Sequence, residues 1–251
     1  MRICIRLLVS NTVLLTNNIL NIISLVKKNF LDYHKNMAEY IRARSDEQKE
    51  ERMSQIKKVA DELFKTMPYT EINLSNIAEK LKWSRANLYK YVTTKEEIYL
   101  EIEQDRMIEY LQSLITVFPD GCRLSSETVA EIWTAQVAAH EDYFKYTAFL
   151  LTIIERNVTV ERLTVFKKTY YELADVLKKR LSFALEISDD AAENLVLSIM
   201  NYASSYFCSC LSNPLIAQAL KNLNIKPKER NLADDVKNFI LMNIEWIKRK
   251  K

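Results

Sequence analysis

The chain has 251 residues, 48% of them hydrophobic, enough to bury a sizeable core in one large domain or two unequal ones. A single Gly and four Pro leave too little turn chemistry for a sheet protein rich in hairpins, so long helices with short connections remain. The formal net charge of +3 is too small to dedicate the whole surface to nucleic acid, membrane or an acidic substrate, and any basic patch must be local.

At the N-terminus, Arg2 and Arg6 precede a mostly apolar run from Leu7 to Val26, the pattern of a signal peptide or short membrane anchor. The run contains Asn11, Asn17, Asn18 and Asn21, whose amides are costly in lipid, and no small-residue cleavage pattern precedes Lys27 and Lys28. Residues 1–44 are therefore read as an extension, either a start-site artefact upstream of Met37 or a disordered segment. The competing reading is a membrane-associated helical binding protein anchored by residues 7–26.

Helical periodicity is continuous from Ser45. Ile56, Val59, Ala60, Leu63 and Phe64 fall on one stripe of a first helix that stops at Met67-Pro68. Leu74, Ile77, Ala78 and Leu81 predict a short second helix with Asn73 as its N-cap. A third short helix is predicted from Ser84, which can cap it, to about Tyr91. Thr94 and Glu97 form a capping box at the head of a long fourth helix, whose Ile98, Ile102, Ile108, Leu111 and Ile115 carry it toward Pro119. Further helices are expected over 126–139, 141–156, 160–184, 189–212 and 232–248, separated at Asn157, Ser188, Pro214 and Pro227.

The four cysteines, at positions 4, 122, 208 and 210, do not resemble a disulfide framework and fit a reducing cytoplasm. Cys208 and Cys210, two apart on a helix, point to different faces, so they are read as buried small hydrophobes and no metal site is expected. With two His, no Gly-rich phosphate loop and no recognisable nucleophile or carboxylate pair, an enzyme is not expected, nor a cofactor.

Two short helices behind a longer one have the lengths of a helix-turn-helix, whose second helix enters the DNA major groove. Between Glu79 and Glu96 there is no acid, while Lys80, Lys82, Arg85, Lys90 and Lys95 are basic and are interleaved with Trp83, Tyr89 and Tyr91. The run Ala60…Leu63-Phe64…Tyr69…Leu74…Ile77-Ala78…Leu81…Ser84-Arg85…Leu88-Tyr89-Lys90-Tyr91-Val92…Lys95-Glu96-Glu97-Ile98 resembles the N-terminal domain of the tetracycline-repressor (TetR) family. Two positions depart from that family: Pro68 and Lys82 stand where it commonly has Gly. A left-handed residue with a Cβ costs about 1–2 kcal/mol, so the turn is expected to be reshaped a little at Lys82.

The resemblance implies an all-α, homodimeric regulator, usually a repressor of palindromic operators, with a DNA-binding domain at 45–94 and a ligand-binding and dimerisation domain at 95–251. It also implies that Tyr89 and Lys95 hold the phosphate backbone; Lys95 lies in addition at a helix N-terminus, which favours an anion. Arg85, Asn87 and Lys90 have the chemistry to reach base edges, with Lys82, Trp83, Ser84 and Tyr91 completing the DNA surface and Leu88 facing inward. The helices at 189–212 and 232–248 are expected to pair with their copies, through surface or underlying core at Leu195, Ile199, Phe239, Met242 and Trp246.

The C-terminal half is rich in aromatics, and Trp133, His140, Phe144, Phe149, Tyr170, Tyr202 and Tyr206 are the candidate lining of an effector cavity. Its apolar character points to a hydrophobic or amphipathic small molecule. A cytoplasmic protein without stable membrane association is expected.

Overall fold

The computed structural model describes residues 47–149, 153–210, 214–226 and 230–250; for Ala148, Phe149, Ser209, Cys210 and Pro214 only the backbone is described. The apolar run at 7–26, and Cys4, lie outside them. The chain divides into two units, Met1–Gln55 and Ile56–Lys251. The described part of the first is helical over 47–55, where Arg52 donates to the Gln55 side chain at 3.1 Å.

The second unit is helical throughout its described regular elements. It comprises α1 (56–66), a 3-10 turn at Tyr69–Glu71, α2 (Leu74–Leu81), α3 (Arg85–Leu88), α4 (Lys95–Val117), α5 (Ser126–Ala139), α6 (Glu141–Phe149), α7 (Val160–Leu185), α8 (Asp189–Cys210), α9 (Pro214–Asn222) and α10 (Leu232–Arg249). Long α4 is the spine: it packs on α5, α6 and α7, while α8 closes the body against α6, α7 and α10. Residues on several of its faces are buried, among them Ile98, Tyr99, Ile102, Glu103, Met107, Tyr110, Leu111 and Leu114. Tyr99 donates its hydroxyl to the Ala60 carbonyl at 3.0 Å, tying α4 to α1. Asp61 on α1 reinforces this joint, accepting from Arg106 of α4 and Tyr146 of α6, each at 2.6 Å.

The predicted caps form. Asn73 accepts from the backbone N–H of Ser75 and Asn76, and the Asn76 side chain returns a bond to the Asn73 N–H. Ser84 accepts from Asn87 N at 3.2 Å. The box at α4 is displaced by one residue: Thr94 Oγ1 accepts from Glu97 N, but the Glu97 carboxylate takes the N–H of Thr93 instead of Thr94. Three boundaries differ from expectation. α3 ends at Leu88, with 89–91 continuing as a turn; α6 covers Glu141–Phe149 where a helix over 141–156 is expected, with 155–156 in a turn; and α9 forms where the sequence predicts only a break at Pro214. Proline at a first helical position loses no bond, because that N–H has no partner inside the helix anyway. Cys208 is exposed, correcting its reading as a buried hydrophobe, because it lies on the outward side of α8 between buried Phe207 and the helix end. Among the described residues, no helix is long and apolar enough to cross a membrane.

Candidate functional site

Two features of the second unit invite chemistry, and α4 touches both. The first is the α2–α3 pair. Lys82 closes α2 with φ +57° and ψ +37°, so the chain keeps the left-handed turn despite its side chain and the expected reshaping does not occur. Paired bonds from Lys82 N to the Glu79 carbonyl and from Trp83 N to the Ala78 carbonyl, both 2.9 Å, complete a Schellman motif that holds the strained residue. Lys82→Gly is therefore expected to stabilise the protein by up to about 1 kcal/mol, the relief of strain less the extra chain entropy of Gly; chemical denaturation measures it.

From this turn α3 projects with Leu88 fully buried and Arg85, Tyr89 and Lys90 exposed. Asn87 and Tyr91 are half-buried, and the Tyr91 ring lies 5.9 Å from that of Trp83. Among the described residues, Lys82, Arg85 and Lys90 make no ion pair, whereas Lys80 is taken by Glu62 at 3.0 Å. Lys95 is placed differently from a free phosphate grip. Its Nζ donates to the carbonyls of Tyr69 and Ile72 at 2.8 and 2.7 Å and sits 4.1 Å from the Tyr69 ring centroid. Burial holds its ammonium below the ordinary lysine pKa. An ammonium carries three N–H donors, so one remains for another acceptor.

The second feature is a cavity of about 600 Å³ bounded by α4, α6, α7 and α8, with Met107, Tyr143, Thr147, Phe166, Tyr170 and Met200 in its wall. Of the seven aromatic and His positions singled out in the sequence, Tyr170 lines it. Trp133 is fully buried and donates to the Tyr110 hydroxyl at 2.8 Å, and Phe144 stacks on Phe207. His140 caps α5 and its Nδ1 lies 2.8 Å from the Gln136 carbonyl. Tyr202 stacks on Phe239 of α10 with centroids 3.9 Å apart, and Tyr206 packs under the Arg230 guanidinium. The Phe149 side chain lies outside the described residues.

The charged groups of this region are not among the residues the sequence singles out. Lys167 pairs with Glu155 at 2.6 Å, and Lys178 pairs with Asp175 at 2.9 Å and Glu193 at 3.7 Å, all at the cavity. Glu103, one helical turn from Met107 but not itself in the cavity wall, is completely buried: Oε1 accepts from Thr147 at 2.6 Å, and Oε2 has no hydrogen-bond partner among the described residues. Burial pushes its carboxyl up to about 8, against the smaller opposing effects of Thr147 and Arg106. One sequence signal could have found it, since Tyr99, Glu103, Met107, Tyr110 and Leu114 follow helical spacing with a carboxylate on an otherwise apolar or aromatic stripe.

The two features are bridged. Arg162 of α7 donates to Glu101 at 2.8 Å and to the Tyr91 carbonyl at 2.9 Å, and Thr94, the N-cap of α4, donates to the Asn157 carbonyl at 3.2 Å.

A helix-turn-helix carried on a larger helical body with a pocket between its helices is the organisation of a one-component transcription regulator. Residues 104–245 match the family model described as tetracyclin repressor-like, C-terminal domain, and the chain belongs to this family of TetR-like transcriptional regulators. The fold is similar to that of FadR from Thermus thermophilus, a TetR family transcriptional repressor solved in complex with lauroyl-CoA. That match has a TM-score of 0.51 at 14% identity and covers 77% of this chain and 93% of that one. FadR from Bacillus halodurans, a fatty acid degradation regulator, gives a TM-score of 0.50 at 14% identity, covering 75% and 94%. No curated protein shows significant sequence similarity to the chain.

Proposed function

We propose that the protein is a homodimeric repressor that grips a palindromic operator through residues 45–94 and is released when an apolar or amphipathic molecule enters the cavity of residues 95–251. The observation that carries the DNA half of this reading is the exposed set Lys82, Arg85 and Lys90, without an ion pair among the described residues, around a recognition helix whose one buried residue is Leu88. A second copy is required because one four-residue helix reads too few base pairs, and a two-fold pair spans half-sites about 34–36 Å apart. Leu195 and Ile199 belong to the core, while Leu197, Met242 and Trp246 are exposed on α8 and α10 and supply the apolar surface such a dimer would cover.

Release needs a molecule that prefers the DNA-incompetent arrangement; a 100-fold loss of affinity corresponds to about 2.7 kcal/mol of coupling. The Arg162–Tyr91 and Thr94–Asn157 bonds support a route through α4 and α7, because a shift of either helix alters how the helix-turn-helix is held.

Binding isotherms on a fragment selected from the source organism's DNA and on random DNA, at several salt concentrations, test the reading, with light scattering giving the mass of the free protein. Arg85→Ala is expected to cost about 1–3 kcal/mol on the operator and little on random DNA. Lys95→Ala, which removes the one donor left for phosphate, should weaken both alike and flatten the salt slope by about one. Equal losses on both DNAs for Arg85→Ala would move that residue to the backbone-contact group, and a monomer at micromolar concentration would sink the dimer.

A further inference from the structure

Every charged group in the cavity wall is spent on another. Lys167 is held by Glu155 at 2.6 Å, and Lys178 by Asp175 at 2.9 Å and Glu193 at 3.7 Å, which accounts for all five charged residues that line the space. An anionic head would have to take a lysine from its carboxylate, and a cationic head a carboxylate from its lysine. Either exchange leaves one wall charge without its partner and strips the ligand's own charge of water, so it gains little. The hydrogen-bonding capacity left in the wall is neutral. The Thr147 hydroxyl is already given to Glu103 and to the Tyr143 carbonyl. The Tyr170 hydroxyl on α7, by contrast, has only the Met200 sulfur at 4.0 Å, and a thioether is a weak acceptor. Asn201, the residue after Met200 on α8, lines the cavity with an exposed side chain that makes no hydrogen bond among the described residues. The buried part of the wall, Met107, Tyr143, Phe166, Val196 and Met200, offers hydrocarbon, sulfur and ring faces.

We propose that the effector is an uncharged amphiphile, with a carbonyl or amide head hydrogen-bonded to Tyr170 and Asn201 and a hydrocarbon body against Phe166, Val196 and Met200. This rests on the cavity being the effector site and narrows that reading to one class of ligand. A carbonyl oxygen offers two lone pairs, enough for the Tyr170 O–H and an Asn201 N–H, and an amide adds an N–H for the Asn201 oxygen. Such a head leaves the Lys167 and Lys178 ion pairs as they are. Tyr170 remains a neutral donor near pH 7, since burial raises its pKa above the ordinary tyrosine value. The volume of about 600 Å³ lies within the range of small-molecule sites, roughly 300–1,000 Å³.

Titration calorimetry on the full chain at neutral pH tests this with octanamide, octanoate and octylamine, three probes of one chain length and three charges. Octanamide should bind about tenfold or more tighter than either ion, the worth of roughly one net hydrogen bond. Tyr170→Phe combined with Asn201→Ala removes both neutral partners and should erase that preference, while thermal unfolding shows that the variant folds. Ala174→Trp, with Ala174→Leu as the milder filling of the same wall, should weaken octanamide. Octanoate or octylamine binding as tightly as octanamide, yet weakened by the Ala174 variants, would overturn the uncharged-ligand proposal and leave the cavity reading standing. Failure of all three probes to bind, or octanamide binding untouched by both Ala174 variants, would overturn both. A preference that survives in the Tyr170→Phe, Asn201→Ala chain overturns the assignment of the head group to these two residues.

Discussion

Glu103→Gln is expected to gain stability relative to wild type as the pH rises from acid to neutral, by about 3 kcal/mol between pH 4 and pH 7. The reason is the place of the carboxyl. Glu103 is fully buried on α4, and burial raises its pKa from 4.5 to about 8. Below pH 4.5 the folded and unfolded chains both carry the proton and the group costs nothing. Between pH 4.5 and 8 the unfolded chain releases the proton while the folded chain keeps it, so unfolding gains ground with every pH unit. Above 8 the folded chain ionises too and the loss levels off. Glutamine has the same shape and no proton to lose. The difference in unfolding free energy between variant and wild type, measured by denaturant titration from pH 4 to 9, should therefore start near zero and climb through this window. A difference that stays flat would mean that Glu103 is solvated in the folded chain.

The caps show how much of the fold is legible in the sequence. Asn73, Ser84 and Thr94 are short polar residues ahead of apolar periodic runs, and each caps the helix it is expected to start. This is chemistry local to four or five residues and needs no tertiary information. Where the tertiary structure decides, the sequence says less. The side chain of Lys82 predicts a distorted turn, but the Schellman bonds and the packing of α2 on α3 hold it left-handed. At the cavity, the identity of an aromatic residue says that it is buried and not which side of the wall it is on. Trp133 and Phe144 are as hydrophobic as Tyr170, yet they pack into the core with Tyr110 while Tyr170 lines open space. That difference arises from how α4, α6, α7 and α8 pack around the cavity, which no single helix encodes. The lysine–carboxylate pairs of the cavity wall are hidden for the same reason: on a helix wheel they look like solvated charges.

Leu88→Ala is expected to remove about 2–5 kcal/mol of stability and to abolish binding to operator and random DNA together. α3 has only four residues, too few to persist by its own hydrogen bonds, so its position depends on the Ser84 cap and on what Leu88 buries. Leu88 is fully buried and is the one buried residue of that helix. Its neighbours Arg85, Tyr89 and Lys90 are exposed, so one residue anchors the platform from which the others act. Truncation leaves a cavity beneath the platform, and the helix loses its defined angle before any DNA-facing group has changed. This separates the variant from Arg85→Ala, which should melt like wild type and lose mainly discrimination between sites. Leu88→Met, which nearly conserves volume, should cost less than about 1.5 kcal/mol and retain DNA binding. Unfolding curves and isotherms on the same preparations decide between the two roles. If Leu88→Ala unfolds like wild type but binds operator no better than random DNA, Leu88 belongs to the DNA-facing surface and does not anchor α3.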